Sequence, residues 1–368
     1  MHIKCIRVNL LLCCACLPSL LAISACQNKP QTSAIASTPD ATVANTRQAP
    51  NHELAATLLP AAMPSNQPVA SSAHPVLAFY YPWYNTSTWQ PATMSDLPVI
   101  TYNSSDNTTI DRHINWAANA GITGFISSWW GLGDQTDTNF AQLLTHSATL
   151  ENATHYHFAS SLYFECDSPK LSGATNIIQS LQYLVAHYSN DPHFFHWQGK
   201  PVIFFWDPLG NGRTLSQWAF IRSQVDPNNL MIWSAEGVDT TLLNIFDGIH
   251  LFSGGYWGLR NNRMTAVDQG FRAKVDAYNS TNGTHKIWAA GVIPGYNDTH
   301  IPGRQGTYIV PRNNGKTYNS SWTAAIASNP DWITITSFNE WFEGSMIEPS
   351  ITYNTLYLDI TQQYTRQW

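Results

Sequence analysis

Charge is scarce in this sequence: Lys, Arg, Asp and Glu together make up 11% of 368 residues. The formal net charge is −6, from 24 acidic and 18 basic residues. That balance excludes a polyanion-binding surface, so nucleic acid is not an expected partner. Cysteine is rarer still where a fold would need it. Cys5, Cys13, Cys14 and Cys16 precede residue 26, Cys26 follows them, and Cys166 stands alone beyond. No disulfide can form within the region that holds only Cys166, and this residue is read as structural. Several chemical signatures are missing as well. There is no G-x-G-x-x-G, no P-loop, no G-x-S-x-G, no H-E-x-x-H and no internal repeat. His193 and His196 form an H-x-x-H, but no further ligand stands at metal spacing in the sequence. That pair is read as ordinary loop chemistry, and no metal or organic cofactor is expected.

Aromatic residues are absent before Phe79, and that absence divides the chain. Lys4 and Arg7 precede an apolar run from Val8 to Ala25, the pattern of an export signal. Ile23-Ser24-Ala25-Cys26 resembles a bacterial lipobox, which makes residues 1–25 an expected signal peptide and Cys26 the expected site of lipidation. The expectation is therefore an exported protein held to a membrane by its lipid, facing the periplasm or cell exterior. From 26 to 73 the sequence is rich in Ala, Ser, Thr and Pro. Such composition buries too little apolar area to offset chain entropy, and it reads as a flexible linker. Nothing in the sequence specifies an oligomeric state.

What is abundant lies in residues 74–368, which hold all 15 Trp, 16 Tyr and 15 Phe. Short β-branched or aromatic runs alternate there with stretches of helical patterning. The runs are 76–81, 122–128, 157–165, 201–206, 230–234, 248–252, 286–292 and 332–338. Eight strand-then-helix units with near-continuous apolar strands predict an α/β fold, a (β/α)8 barrel in one catalytic domain. A doubly wound open sheet is the competing architecture.

In such a barrel, chemistry belongs at the C-terminal strand ends. Those ends carry Tyr81 and Trp83, Trp129 and Trp130, Glu165, Asp207, Glu236, Tyr256 and Tyr296. After the eighth strand comes Asn339-Glu340-Trp341-Phe342-Glu343. Flat aromatic faces suit the C–H faces of sugars, and glycosidic cleavage needs two carboxylic groups in different protonation states. Acidic residues also end strands simply as helix caps, a reading that carries most weight for Asp207 and Glu236. It carries least for Glu340 and Glu343, which flank an aromatic pair. An oligosaccharide or polysaccharide is the expected substrate.

Ile335-Thr336-Ser337-Phe338-Asn339-Glu340-Trp341-Phe342-Glu343-Gly344, with Ile347-Glu348-Pro349, resembles the signature of glycoside hydrolase family 99. Tyr80 to Tyr84, Ser128 to Gly131, Gly199 to Ile203 and Pro294 to Asp298 extend the likeness over about residues 76–350. The family holds endo-α-1,2-mannosidases and endo-α-1,2-mannanases. The resemblance implies a (β/α)8 barrel and retention of anomeric configuration through a 1,2-anhydro sugar. Glu340 would then deprotonate the substrate's 2-hydroxyl, and Glu343 would be the general acid, then the base for water. Glu165, Tyr81, Trp129 and Tyr296 would contact substrate, with Trp83, Trp130, Asp207, Tyr256, Asn339 and Trp341 also expected there. Phe342, Asn297, His300 and Cys166-Asp167 depart from the family pattern, all near the implied sugar subsites. A non-catalytic carbohydrate-binding lipoprotein and a barrel serving polysaccharide assembly are the rival readings.

Overall fold

All eight runs expected as strands form strands, labelled β1 to β8 in chain order. They are Val76–Tyr80, Gly124–Trp129, Ser161–Glu165, Lys200–Trp206, Ile232–Glu236, Gly248–His250, Ile287–Val292 and Trp332–Ile335. The structure is a computed structural model and describes residues 74–368. The expected signal segment, Cys26 and the expected linker lie outside the described residues. Neighbouring strands pair in parallel in sequence order, β8 pairs with β1, and β3 pairs directly with β4. The sheet therefore closes on itself. It is a (β/α)8 barrel, and the open-sheet alternative is excluded.

The connecting helices are α1 Asn107–Asn119, α2 Gln135–Thr154, α3 Gly173–His187 and α4 Leu215–Val225. They continue with α5 Met264–Asn282, α6 Lys316–Ala327 and α7 Leu356–Thr365. After β5 the chain makes only a 3-10 turn, Thr240–Asn244, where the sequence predicts a short segment. Among the described residues no helix is long and apolar enough to cross a membrane.

Successive strand side chains point to opposite faces, so parity along each strand decides which layer a residue joins. Leu77, Phe79, Tyr163, Val202, Phe204, Ile287, Ala289 and Trp332 fill the barrel interior. Their neighbours Ala78, Leu162, Phe164, Ile203, Phe205, Trp288 and Ile333 pack outward against the helices. Inward parity carries Ser128, Glu165 and Glu236 to the mouth end of their strands. Outward parity takes Trp129 away from it.

The strand ends differ from expectation where the site begins. β5 runs to Glu236, two residues past the expected end. β8 stops at Ile335 instead of Phe338, so the loop that carries Glu340 and Glu343 begins three residues earlier. There the chain doubles back on itself. Ser337 N donates to Ser345 O at 2.9 Å, Ile347 N to Ser337 O at 2.9 Å, and Glu348 N to Phe338 O at 2.8 Å. Ser337 N and Phe338 O, satisfied within this loop, are lost to the barrel ladder, although Thr336 N still donates to Val292 O and Phe338 N to Phe79 O, each at 2.8 Å.

Candidate active site

The loop after β8 is fastened from below by polar groups that never reach solvent. Asn339 Oδ1 accepts from Tyr81 N at 2.7 Å, and its Nδ2 donates to Tyr81 O at 3.1 Å. Tyr84 Oη donates to Asn339 O at 2.9 Å and accepts from Trp341 N at 3.0 Å. Glu348 accepts from Trp341 Nε1 at 2.8 Å and from Tyr102 Oη at 3.0 Å, and lies 3.0 Å from His113 Nε2. Each of these groups is buried, so every bond replaces one to water and fixes a rotamer. Asn339 and Trp341 are fully buried, which corrects their expected role. They hold the loop and present no surface to a substrate.

On this support sit the two carboxylates. Glu340 N donates to Ser337 Oγ at 2.7 Å, and Glu340 Oε1 accepts from Phe342 N at 3.2 Å. Burial pushes the Glu340 carboxyl well above the usual range, and the nearby Glu343 adds to the effect, against Arg304. Glu343 Oε1 accepts from Arg304 Nη2 at 2.8 Å. Arg304 Nη1 in turn lies 3.4 Å from Asp298 Oδ2 and donates to Tyr296 Oη at 3.4 Å. One guanidinium thus serves two buried carboxylates and a phenol.

Two aromatic walls flank the pair. On one, Tyr81 and Trp83 have ring centres 4.7 Å apart, and Trp83 meets Trp130 edge-on at 6.0 Å. Trp130 Nε1 donates to Ser128 Oγ at 3.0 Å, and Ser128 Oγ donates to Glu165 Oε1 at 2.6 Å. Burial raises the Glu165 carboxyl to about 8, opposed by the Ser128 bond and reinforced by Asp167 and Glu343. On the other wall Tyr296 stacks on Tyr308 at 4.4 Å, and Tyr308 meets Tyr256 edge-on at 5.6 Å. A two-stranded ribbon, Tyr296–Asn297 against Ile309–Val310, carries this wall. It is tied to the loop after β8 by Asn297 N donating to Glu343 O at 2.7 Å.

Tyr81, Trp83, Trp130, Glu165, Tyr256 and Tyr296 are thus brought around Glu340 and Glu343. Trp129 is not, and its expected role is corrected. Its ring is fully buried against Phe164 at 5.6 Å in the outer layer, with Nε1 donating to Asp137 Oδ1 at 3.0 Å. Asp207 follows β4 directly and is half-buried, its carboxyl raised by burial and by Asp167. Glu236 is clamped, accepting from Phe252 N at 2.7 Å, Ser253 N at 3.2 Å and Ser253 Oγ at 2.6 Å. Burial still raises it to about 7. Cys166 is buried, as a structural residue would be.

Sequence reasoning missed Arg304 and Tyr308, and it quoted Ser128 and Asp298 within motifs without giving either a role. Arg304 lies between Gly303 and Gly306 in the loop after β7, and an Arg in a strand-end loop of a charge-poor chain is the signal it gave, one it shares with Arg312.

The site so described can be set beside known proteins. The model for glycosyl hydrolase family 99 matches residues 73–367. A mouse glycoprotein endo-α-1,2-mannosidase is 26% identical over 338 residues, 82% of this chain and 69% of that protein. A human glycoprotein endo-α-1,2-mannosidase-like protein is 25% identical over 294 residues, 73% of this chain and 62% of its own length. The solved structure of a family 99 endo-α-mannosidase from Bacteroides thetaiotaomicron superposes with a TM-score of 0.68 at 25% identity. That match covers 80% of this chain and 97% of that one. The chain belongs to glycosyl hydrolase family 99 and is a glycoside hydrolase.

Proposed function

We propose that this enzyme cleaves α-1,2-mannan-like glycans internally and with retention, using the substrate's own 2-hydroxyl as nucleophile. The observation that carries the reading is the buried, electrostatically linked pair Glu340 and Glu343 between two aromatic walls. Endo-α-mannosidase relatives support the sugar. In the first step Glu340 takes the proton of the 2-hydroxyl and O2 attacks C1. The C1–O bond to the leaving sugar breaks, and Glu343 protonates the departing oxygen. In the second step Glu343 takes a proton from water, the water oxygen attacks C1, and the C1–O2 bond opens with Glu340 returning its proton to O2. Two inversions at C1 restore the α configuration, and no bond to the enzyme forms, unlike the common two-carboxylate scheme.

A carboxylate of ordinary basicity is a poor match for an alcohol proton. Burying Glu340 beside Glu343 makes it a stronger base, and that is the physical use of its raised position. Glu165, protonated near neutrality by its own burial, can donate to a sugar hydroxyl from the facing wall. The test is hydrolysis of a defined α-1,2-linked manno-oligosaccharide with the product anomer followed by NMR. First release of the α-anomer is expected, with cleavage lost and binding kept in Glu343→Gln. First release of the β-anomer, or full turnover by that variant, overturns the proposal.

The lipobox-like Ile23–Cys26 supports a further part of this reading, in which the enzyme is exported and anchored through Cys26. Incorporation of labelled palmitate into the protein, and its loss in Cys26→Ala, is the expected result. Labelling that survives that substitution contradicts it.

A further inference from the structure

At the opposite end of the barrel from the carboxylate pair, three ligand-type side chains converge. Glu151 lies in the last turn of α2, His157 in the connection leading to β3, and His193 in the connection leading to β4. Glu151 Oε2 is 3.0 Å from His157 Nδ1 and 2.8 Å from His193 Nε2. The imidazole rings are tilted 37° to one another with centres 5.4 Å apart, and the three ligand atoms all lie within 4.8 Å of one another. From these contacts we propose that Glu151, His157 and His193 form a binding site for a divalent transition-metal cation, zinc in the first instance.

The donor set is the one such an ion takes: two imidazole nitrogens and a carboxylate oxygen, with a fourth position left for water. Bonds of about 2.0–2.1 Å in a tetrahedron give ligand-to-ligand edges of roughly 3.3 Å. The two measured edges to Glu151 fall slightly inside that value, so small side-chain shifts open the site around an ion. His193 also has the outer partner that metal-bound imidazoles usually have. Its Nδ1 lies 3.5 Å from Asp191 Oδ1, which leaves Nε2 for the cation. Its backbone is fixed as well, with His193 O accepting from Ser160 N at 2.8 Å beside β3. The side chains of His157 and Glu151 are 36% and 39% exposed, which gives an ion a path from solvent.

The H-x-x-H read from the sequence is thereby split. The ring nitrogens of His196 instead face backbone carbonyls, Nδ1 that of Phe194 at 2.7 Å and Nε2 that of Ser189 at 2.8 Å. His193 finds its partners on other elements. A bound ion joins the end of α2 to the entries of β3 and β4, far from the carboxylates of the mouth, and so acts on stability.

The experiment is zinc titration of the tag-free full chain against a chromophoric chelator, with thermal melting measured in parallel. One equivalent of zinc is expected, with melting raised by roughly 5 °C at zinc about 100-fold above Kd. His157→Ala and, separately, His193→Ala should weaken binding at least tenfold and remove the melting shift. His146→Ala, which breaks only the pair with Asp111, should leave both unchanged. Absence of zinc uptake, or uptake that survives His157→Ala, overturns the site.

Discussion

Arg304 donates from Nη2 to Glu343 Oε1 at 2.8 Å while its Nη1 lies 3.4 Å from Asp298. Glu343 and Asp298 are both almost fully buried, and Arg304 is the cation the structure gives them. Breaking a buried pair by removing one partner leaves an uncompensated charge, which costs far more than an exposed pair is worth. Arg304→Met is therefore expected to lower kcat about 10²-fold. It should also lower the melting temperature at pH 7, and part of that loss should be regained on acidification as Asp298, already raised by burial, takes up a proton. A variant with wild-type kcat would show that Arg304 only decorates the loop.

The raised Glu340 carboxyl fixes the sign of the pH profile. As a base it must be ionised, so kcat/KM should fall as pH drops through a carboxyl value lying above the ordinary Glu range. Glu165 is raised to about 8 by its own burial and is neutral through this limb, so Glu165→Gln should leave the acid limb in place. A limb that moves to lower pH in that variant would show that Glu165 is charged beside Glu340.

Two adjacent tryptophans should respond in opposite ways. Trp129 is core, and Trp129→Ala should cost about 3–5 kcal/mol of stability, read from urea unfolding. Trp130 stands half-buried beside Trp83, and Trp130→Ala should raise KM about tenfold with a smaller change in kcat and in stability. Equal stability losses for the two would contradict their assignment to different layers.

Asp268 on α5 is fully buried, and neither carboxylate oxygen finds a donor among the described residues. Burial raises it to about 8. An acid whose folded value is raised binds more protons folded than unfolded, so stability falls as pH climbs from about 4 to 8. Asp268→Asn imitates the neutral form. It should be more stable than the parent by roughly 2–4 kcal/mol at pH 7, with the difference vanishing below pH 4. Melting curves across that range give the answer, and a destabilised variant at pH 7 would show that a charged Asp268 is wanted.

Much of this protein was legible in one dimension. Apolar runs separated by helical stretches foretold a closed barrel, because a parallel strand buried on both faces must be apolar along its whole length. Glu340 and Glu343 were legible because acids beside aromatics after an apolar strand are costly unless used. Strand parity was also present in the sequence. Across Gly124–Trp129 it sends Trp129 outward and keeps Ser128 at the mouth. The boundaries of β5 and β8 were not legible, since the loop bonds that end β8 join residues as far apart as Phe338 and Glu348.

The sequence by itself determined the barrel and the end of it at which Glu340 and Glu343 stand. The tertiary structure alone decided their electrostatics. Arg304 reaches Glu343 across 39 residues, and Asn339 clasps Tyr81 across 258, so neither contact leaves a local pattern to read. The same holds at the other end of the barrel, where His193 meets Glu151 and His157 and leaves its sequence neighbour His196. Periodicity records which face a side chain takes. Which charges meet depends on how the loops close, and the sequence carries no repeating signal for that.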